Sequence, residues 1–187
     1  MNSLKKKIEW DKYILALSPI FLIFYISNET YAIDYRAFYL AGKSVINNLN
    51  PYLNHISLSS DFYGPINSEL SKFSGWKYPP LASYIFTPLA TLPYELSKNI
   101  FNLISLLSIS LVTFFIIKKK IFHLDPYSLI IVGISFPFLA IVSRGQVEIL
   151  IVCIALISLY FYQQDRIFLS ASLIAIMRFI KIFPLLL

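Results

Sequence analysis

Few residues in this chain have side chains that do chemistry, and their placement is uneven. Asp34 stands in Ile33-Asp34-Tyr35-Arg36, where an amphipathic stretch opens. Two readings stand open for it. One is a helix N-cap, for which aspartate is among the best residues. The other is a general base at a membrane surface, where partial desolvation raises the proton affinity of a carboxylate. Arg144-Gly145-Gln146 lies between two apolar runs. An arginine there can grip a phosphate through two parallel hydrogen bonds, with glycine allowing close backbone approach. The same triplet also reads as a short turn whose arginine snorkels to the interface.

Arg178 and Lys181 are three apart, hence on one face of a helix, in an otherwise apolar segment ending at Pro184. Charge inside a membrane is expensive and points to a ligand pathway or a partner, unless the helix ends near the interface and both side chains snorkel. Tyr52, Tyr63, Trp76 and Tyr78 offer rings that stack on sugars or belong to the interfacial aromatic belt. His55 and His123 are isolated, with no second ligand at metal-like spacing, so no metal site is expected. The chain has no phosphate-binding glycine loop, nucleophile elbow or zinc motif, and no cofactor is expected. Cys153, the one cysteine, sits in an apolar run and reads as a small buried hydrophobe.

The elements that must position these residues follow from composition. Of 187 residues, 57% are hydrophobic, 17% aromatic and 14% charged, against about 25% charged in an ordinary soluble domain. With a mean hydropathy of +0.68, the chain is neither disordered nor an ordinary water-soluble globule. The net charge of +6 is not a nucleic-acid signal, because the lysines cluster as Lys5-Lys6-Lys7 and Lys118-Lys119-Lys120 beside apolar runs. Such clusters report membrane orientation and contact with anionic headgroups.

The uncharged runs give the organisation. Tyr13 to Asn28, extended through Ile33, approaches the roughly 30 Å of a bilayer core and reads as an uncleaved first helix. Residues 28–78 form the one long polar stretch, with Tyr35, Phe38, Gly42, Val45, Ile46 and Leu49 on one helical stripe and a break at Asn50-Pro51. This helix is expected to lie along the membrane surface. Tyr78 to Tyr94 carries Pro79, Pro80, Pro88 and Pro93 and reads as a short crossing or a re-entrant hairpin. Asn99 to Ile117, Pro126 to Ser143, Ile149 to Gln164 and Ile167 to Leu187 are further helices. Placing both lysine triplets and Arg166 in the cytoplasm puts the long loop and Arg144 outside, and it requires one net crossing between Tyr78 and Ile117. The expected fold is therefore all-α: a polytopic transmembrane helical bundle, a single membrane domain over 1–187, with one long extracytoplasmic loop at 28–78 carrying an amphipathic helix.

Certain pieces follow one another in a particular order. They are Asp34-Tyr35 with Tyr39-Leu40-Ala41-Gly42, Asn50-Pro51-Tyr52, and Lys77-Tyr78-Pro79-Pro80-Leu81-Ala82. After these come Pro88-Leu89-Ala90, Leu92-Pro93, Arg144-Gly145-Gln146-Val147, and Lys181 with Pro184. The ordered set resembles the N-terminal half of a family-87 glycosyltransferase, one of the polytopic GT-C enzymes, and its layout is similar to that of eukaryotic GPI-anchor mannosyltransferases. Family members are longer, so the chain is expected to be the front part of a longer GT-C module.

The resemblance implies transfer of a hexose, mannose in the first instance, from a polyprenyl-phosphate sugar to a lipid or glycan acceptor on the outer face of the cell membrane. Asp34 would act as base in a single inverting displacement. Arg144, with Lys181, would stabilise the leaving phosphate, and Gln146, Tyr78 and Tyr52 would bind substrate. No nucleotide or nucleic acid is implied. The chain departs from the resembled pattern at Glu148, where asparagine is common, and at Arg178. The alternative is a non-catalytic membrane protein that binds or transports a lipid-linked sugar, using Arg144, Arg178 and Lys181 without chemistry.

Overall fold

The computed structural model describes residues 33–53, 76–119 and 135–181. The first apolar segment, Lys5 to Lys7, Lys120, His55, Asp61, Tyr63, Glu69, His123 and Pro184 lie outside the described residues. Everything regular among those described is helical: α1 (Ile33–Ile46), α2 (Pro80–Ala90), α3 (Tyr94–Lys119), α4 (Phe136–Ser143), α5 (Glu148–Gln163) and α6 (Ile167–Ile180).

The ends of these helices follow from local chemistry. Proline at the start of α2 costs no hydrogen bond, because the first amides of a helix have no partner in it. At about 1.5 Å per residue α2 rises roughly 16 Å, about half a bilayer core. Within α3, Tyr94–Val112 is long and apolar enough to cross a membrane. Its buried positions Ser97, Phe101, Ser105 and Ile109 recur every fourth residue, while Leu96, Leu103, Ile104, Leu107 and Leu111 are exposed. The open face of this helix is thus apolar, while its packed face alternates serine with larger apolar side chains. No other described helix passes that test alone. α4 and α5 reach the length only together, and a 111° bend separates them.

The pairs α1 with α2 and α5 with α6 are the closest packed. α5 and α6 form a hairpin through Gln164–Arg166, with Asp165 left-handed at φ 57°. In its interface the buried Ser158 hydroxyl meets the Ser170 hydroxyl at 2.9 Å, a small polar contact of the kind that joins helices where water is scarce. Between α1 and α2 lies Gly42. A Cβ there would sit 2.7 Å from the Phe86 carbonyl oxygen and 2.9 Å from the Ala90 Cβ, so only glycine permits this approach. Gly42→Ala must therefore part the two helices, at a cost of about 1–3 kcal/mol. The check is chemical denaturation of the purified protein in detergent; an unchanged midpoint would mean that α1 and α2 do not pack this closely.

The amphipathic stripe of α1 is wider than its sequence pattern. Tyr35 and Phe38 are fully buried as expected, but Tyr39, Leu40, Ala41 and Ser44 are buried too, and Ile46 is exposed. The cause is an aromatic cluster around α1. Phe38 stacks on Phe86 at 4.6 Å between ring centres and meets Trp76 edge-on at 5.7 Å, and Tyr35 packs on Phe101 at 4.6 Å.

Candidate active site

The site begins at the break between α4 and α5. Arg144 ends α4, and Gly145 follows with φ 66°, a left-handed backbone that glycine adopts without steric cost. Gly145 N–H donates to the Val142 carbonyl at 3.1 Å and Gln146 N–H to the Ile141 carbonyl at 3.0 Å, the paired bonds of a Schellman stop. The Arg144 carbonyl is left without a helical donor. It accepts from the N–H groups of Asp34 (3.0 Å) and Tyr35 (3.3 Å), which open α1 and have no acceptor of their own in that helix. The C-terminus of α4 thus caps the N-terminus of α1, and this docking brings the two polar segments together.

Side chains complete it. Arg144 Nε lies 2.9 Å from Asp34 Oδ2, and Arg144 Nη2 lies 3.4 Å from Oδ1, across 110 residues of sequence. The Gln146 amide donates to Oδ2 at 2.7 Å. Helix α1 starts at Ile33, so Asp34 falls inside the first turn, and its carboxylate is held by Arg144 and Gln146. Of the two readings of Asp34, the geometry does not use the N-cap. Its side chain is 19% exposed, against 49% for Arg144. The carboxylate is therefore largely withdrawn from water, while about half of the Arg144 side chain is exposed.

Tyr78 borders this pair. Its ring packs on Phe38 at 4.8 Å and Trp76 at 5.0 Å, with the Lys181 ammonium 5.9 Å from its centre. Burial pushes the Tyr78 hydroxyl up to about 12, and the charges of Glu148 and Asp34 push the same way against a smaller pull from Arg144. At neutral pH it is a protonated donor beside two carboxylates. Tyr52 reaches the same segment by another route: its hydroxyl donates to the Tyr78 carbonyl at 2.8 Å, and its ring is exposed. If that bond holds the Tyr78 segment in place, Tyr52→Phe lowers stability by about 0.5–1 kcal/mol although the ring is kept. A Tyr52→Phe protein as resistant to proteolysis and denaturant as the wild type would leave Tyr52 only its ring.

Other expectations are redistributed. Arg178 and Lys181 do not share a helix face, because α6 ends at Ile180 and Lys181 continues with extended backbone (φ −149°, ψ 136°). Lys181 pairs with Glu148, in the first turn of α5, and Arg178 stays on the exposed side of α6. Trp76 is buried against Phe38, not presented for stacking. Among the described residues no three His, Cys, Asp or Glu side chains gather as a metal site would require.

Glu148 is the residue that sequence reasoning missed in this role. The available signal was complementarity: one acid at the head of an otherwise uncharged run and one lysine at the end of another have strong reason to meet in an apolar surrounding.

Among the described residues all regular structure is helical, and the ion pairs Asp34–Arg144 and Glu148–Lys181 stand at helix ends, with the Tyr78 and Trp76 rings nearby. The model of glycosyltransferase family 87 matches residues 76–187, more than half of the chain, and the chain belongs to that family. Its general class is the GT-C superfamily. Neither the curated proteins nor the solved structures yield a match. Arg144, Gln146, Tyr78 and Lys181 fall within the matched stretch; Asp34 and Tyr52 precede it and meet it through the contacts described above.

Proposed function

We propose that this chain is a multi-pass membrane glycosyltransferase that moves a hexose, mannose in the first instance, from a polyprenyl-phosphate carrier to a lipid or glycan hydroxyl on the outer face. The observation that carries the reading is the division of labour around Asp34. Arg144 Nε and Gln146 both hold Oδ2, which fixes the carboxylate in one orientation, whereas among the described residues Oδ1 has only the long contact to Nη2. Oδ1 is the oxygen open to a proton.

In the proposed step an acceptor hydroxyl approaches Oδ1, and its oxygen attacks the anomeric carbon as the proton passes to Asp34. The bond from that carbon to the phosphate oxygen breaks, and its electron pair leaves with the phosphate. One displacement inverts the anomeric centre. A guanidinium carries five N–H donors, and Asp34 engages two of them. The remainder, on the more open edge of Arg144, can take the charge growing on the phosphate while Nε still holds the base. The span of the guanidinium then keeps base and leaving group on opposite sides of the reacting carbon. Tyr78 supplies a neutral donor and a ring face at the border of the site.

The test is transfer by protein reconstituted in liposomes with native lipid extract as acceptor source. Label moves from polyprenyl-phosphate [14C]mannose to the extract, with polyprenyl phosphate released, and it does not move from GDP-mannose alone. Transfer from the nucleotide sugar without a carrier would overturn the donor. Label that binds tightly and stays on its carrier would turn the reading to a non-catalytic lipid-sugar binder.

A further inference from the structure

Where α3 meets the α4–α5 break, it carries two polar side chains without partners. Asn102 and Ser105 stand three apart on one helix face, inside the apolar span Tyr94–Val112, and neither has a hydrogen-bond partner among the described residues. Ser105 is only 7% exposed. A serine in an apolar helix can turn its hydroxyl back onto the carbonyl four residues earlier, as Ser108 and Ser110 do at 2.9 and 3.0 Å. Ser105 does not. With Asn102 it lines a small, partly open pocket against the Gly145-Gln146 turn, whose other walls are apolar side chains of α4 and α5. The space fits one water-sized group. Gln146, the third polar residue of its lining, is the one whose amide nitrogen holds Asp34 Oδ2 at 2.7 Å; its amide oxygen has no partner among the described residues.

The lining restricts the occupant. No ionised side chain faces the pocket, so an ion would lose its water with nothing to balance its charge. A hydrocarbon group would leave Asn102 and Ser105 buried and unsatisfied. A neutral group that both donates and accepts, no larger than a water, meets all three side chains.

We propose that this pocket binds one neutral hydroxyl-bearing group, a water or a hydroxyl of a substrate, between Asn102, Ser105 and Gln146. The bound oxygen donates to the Gln146 amide oxygen and so keeps the amide nitrogen turned towards Asp34. Asn102 and Ser105 are then positioning residues for the carboxylate. This rests on the transfer reading for what Asp34 does, but the site itself is read by its occupancy.

The test begins with experimental structures of the wild-type protein, alone and with polyprenyl-phosphate mannose, at a resolution that shows ordered water. An oxygen is expected about 2.7–3.2 Å from Asn102, Ser105 and Gln146. Present in the free protein, it is water; present only as part of the bound substrate, it is a substrate hydroxyl. A closed pocket, a hydrocarbon chain within it, or Ser105 bonded back to its own helix overturns the proposal. Turnover then reads the positioning role. Ser105→Ala lowers kcat by about three- to tenfold, the size of one neutral hydrogen bond, and the donor KM stays unchanged if the occupant is water. In a Gln146→Ala background the same substitution has no further effect, because no amide is left to position. An equal loss in both backgrounds, or a wild-type kcat for Ser105→Ala, overturns the proposal too. An occupied pocket in a protein that transfers no sugar would sink the transfer reading and leave this site standing. Transfer at the normal rate with an empty pocket would do the reverse.

Discussion

Replacing Asp34 by asparagine lowers kcat for sugar transfer by about 10²–10⁴-fold, the contribution of a positioned general base, while the donor still binds. Asparagine keeps the size of the side chain and one oxygen that can accept from Gln146, but it cannot take a proton from the acceptor. The fold has reason to survive. The amides that open α1 are satisfied by the Arg144 carbonyl, not by the Asp34 side chain, and Tyr35 and Phe38 remain fully buried beneath it. Asp34→Ala adds a second loss, since it leaves Arg144 Nε and the Gln146 amide without their shared acceptor. The informative readout is therefore kcat and donor affinity measured together on the asparagine variant, with elution from size exclusion as the control for folding. A kcat within tenfold of wild type would remove Asp34 from the chemistry.

Arg144→Lys is expected to cost about 10²–10³-fold in kcat, the loss seen when one donor to a developing oxyanion is removed. Charge is retained, so the size of the effect reads geometry. A guanidinium presents its donors in a rigid planar fork and so can bridge Asp34 and a phosphate at once; an ammonium is a point charge that serves one or the other. The backbone carbonyl of residue 144 continues to receive the Asp34 and Tyr35 amides whatever side chain it bears, so the α4–α1 junction stays closed. Denaturation at the wild-type midpoint together with a hundredfold loss in turnover is the expected pattern. If kcat falls less than threefold, the phosphate is not held by Arg144.

Much of the arrangement is written locally. Pro79-Pro80 starts α2, Gly145 stops α4, and the apolar runs after Glu148 and Arg166 become α5 and α6, α5 with ends close to those expected and α6 ending at Ile180, short of the expected Leu187. Asp34, Arg144 and Gln146 are also legible as candidates, because polar groups at the ends of apolar runs have few structural reasons to be there. Which of them meet is another matter. Asp34 and Arg144 are 110 residues apart, and Glu148 and Lys181 are 33 apart; neither pairing leaves a trace in any local window. The reading of Arg178 and Lys181 as one face assumed that the helix runs through both. It ends at Ile180, and that single residue sends Lys181 to Glu148. The burial of Tyr39, Leu40 and Ala41 was hidden for a related reason: one helical stripe is a period, whereas a helix wrapped by aromatics from Trp76, Tyr78, Phe86 and Phe101 is covered from several sides. Periodicity reports the first neighbour of a helix and is silent on the second.

The claim that sugar transfer takes place where α1 meets the α4–α5 break is tested most directly by an experimental structure of the Asp34→Asn protein with polyprenyl-phosphate mannose bound. The account predicts the phosphate within about 3 Å of the Arg144 guanidinium and the anomeric carbon between it and residue 34. A donor whose phosphate binds away from Arg144, or whose sugar lies out of reach of position 34, would contradict it.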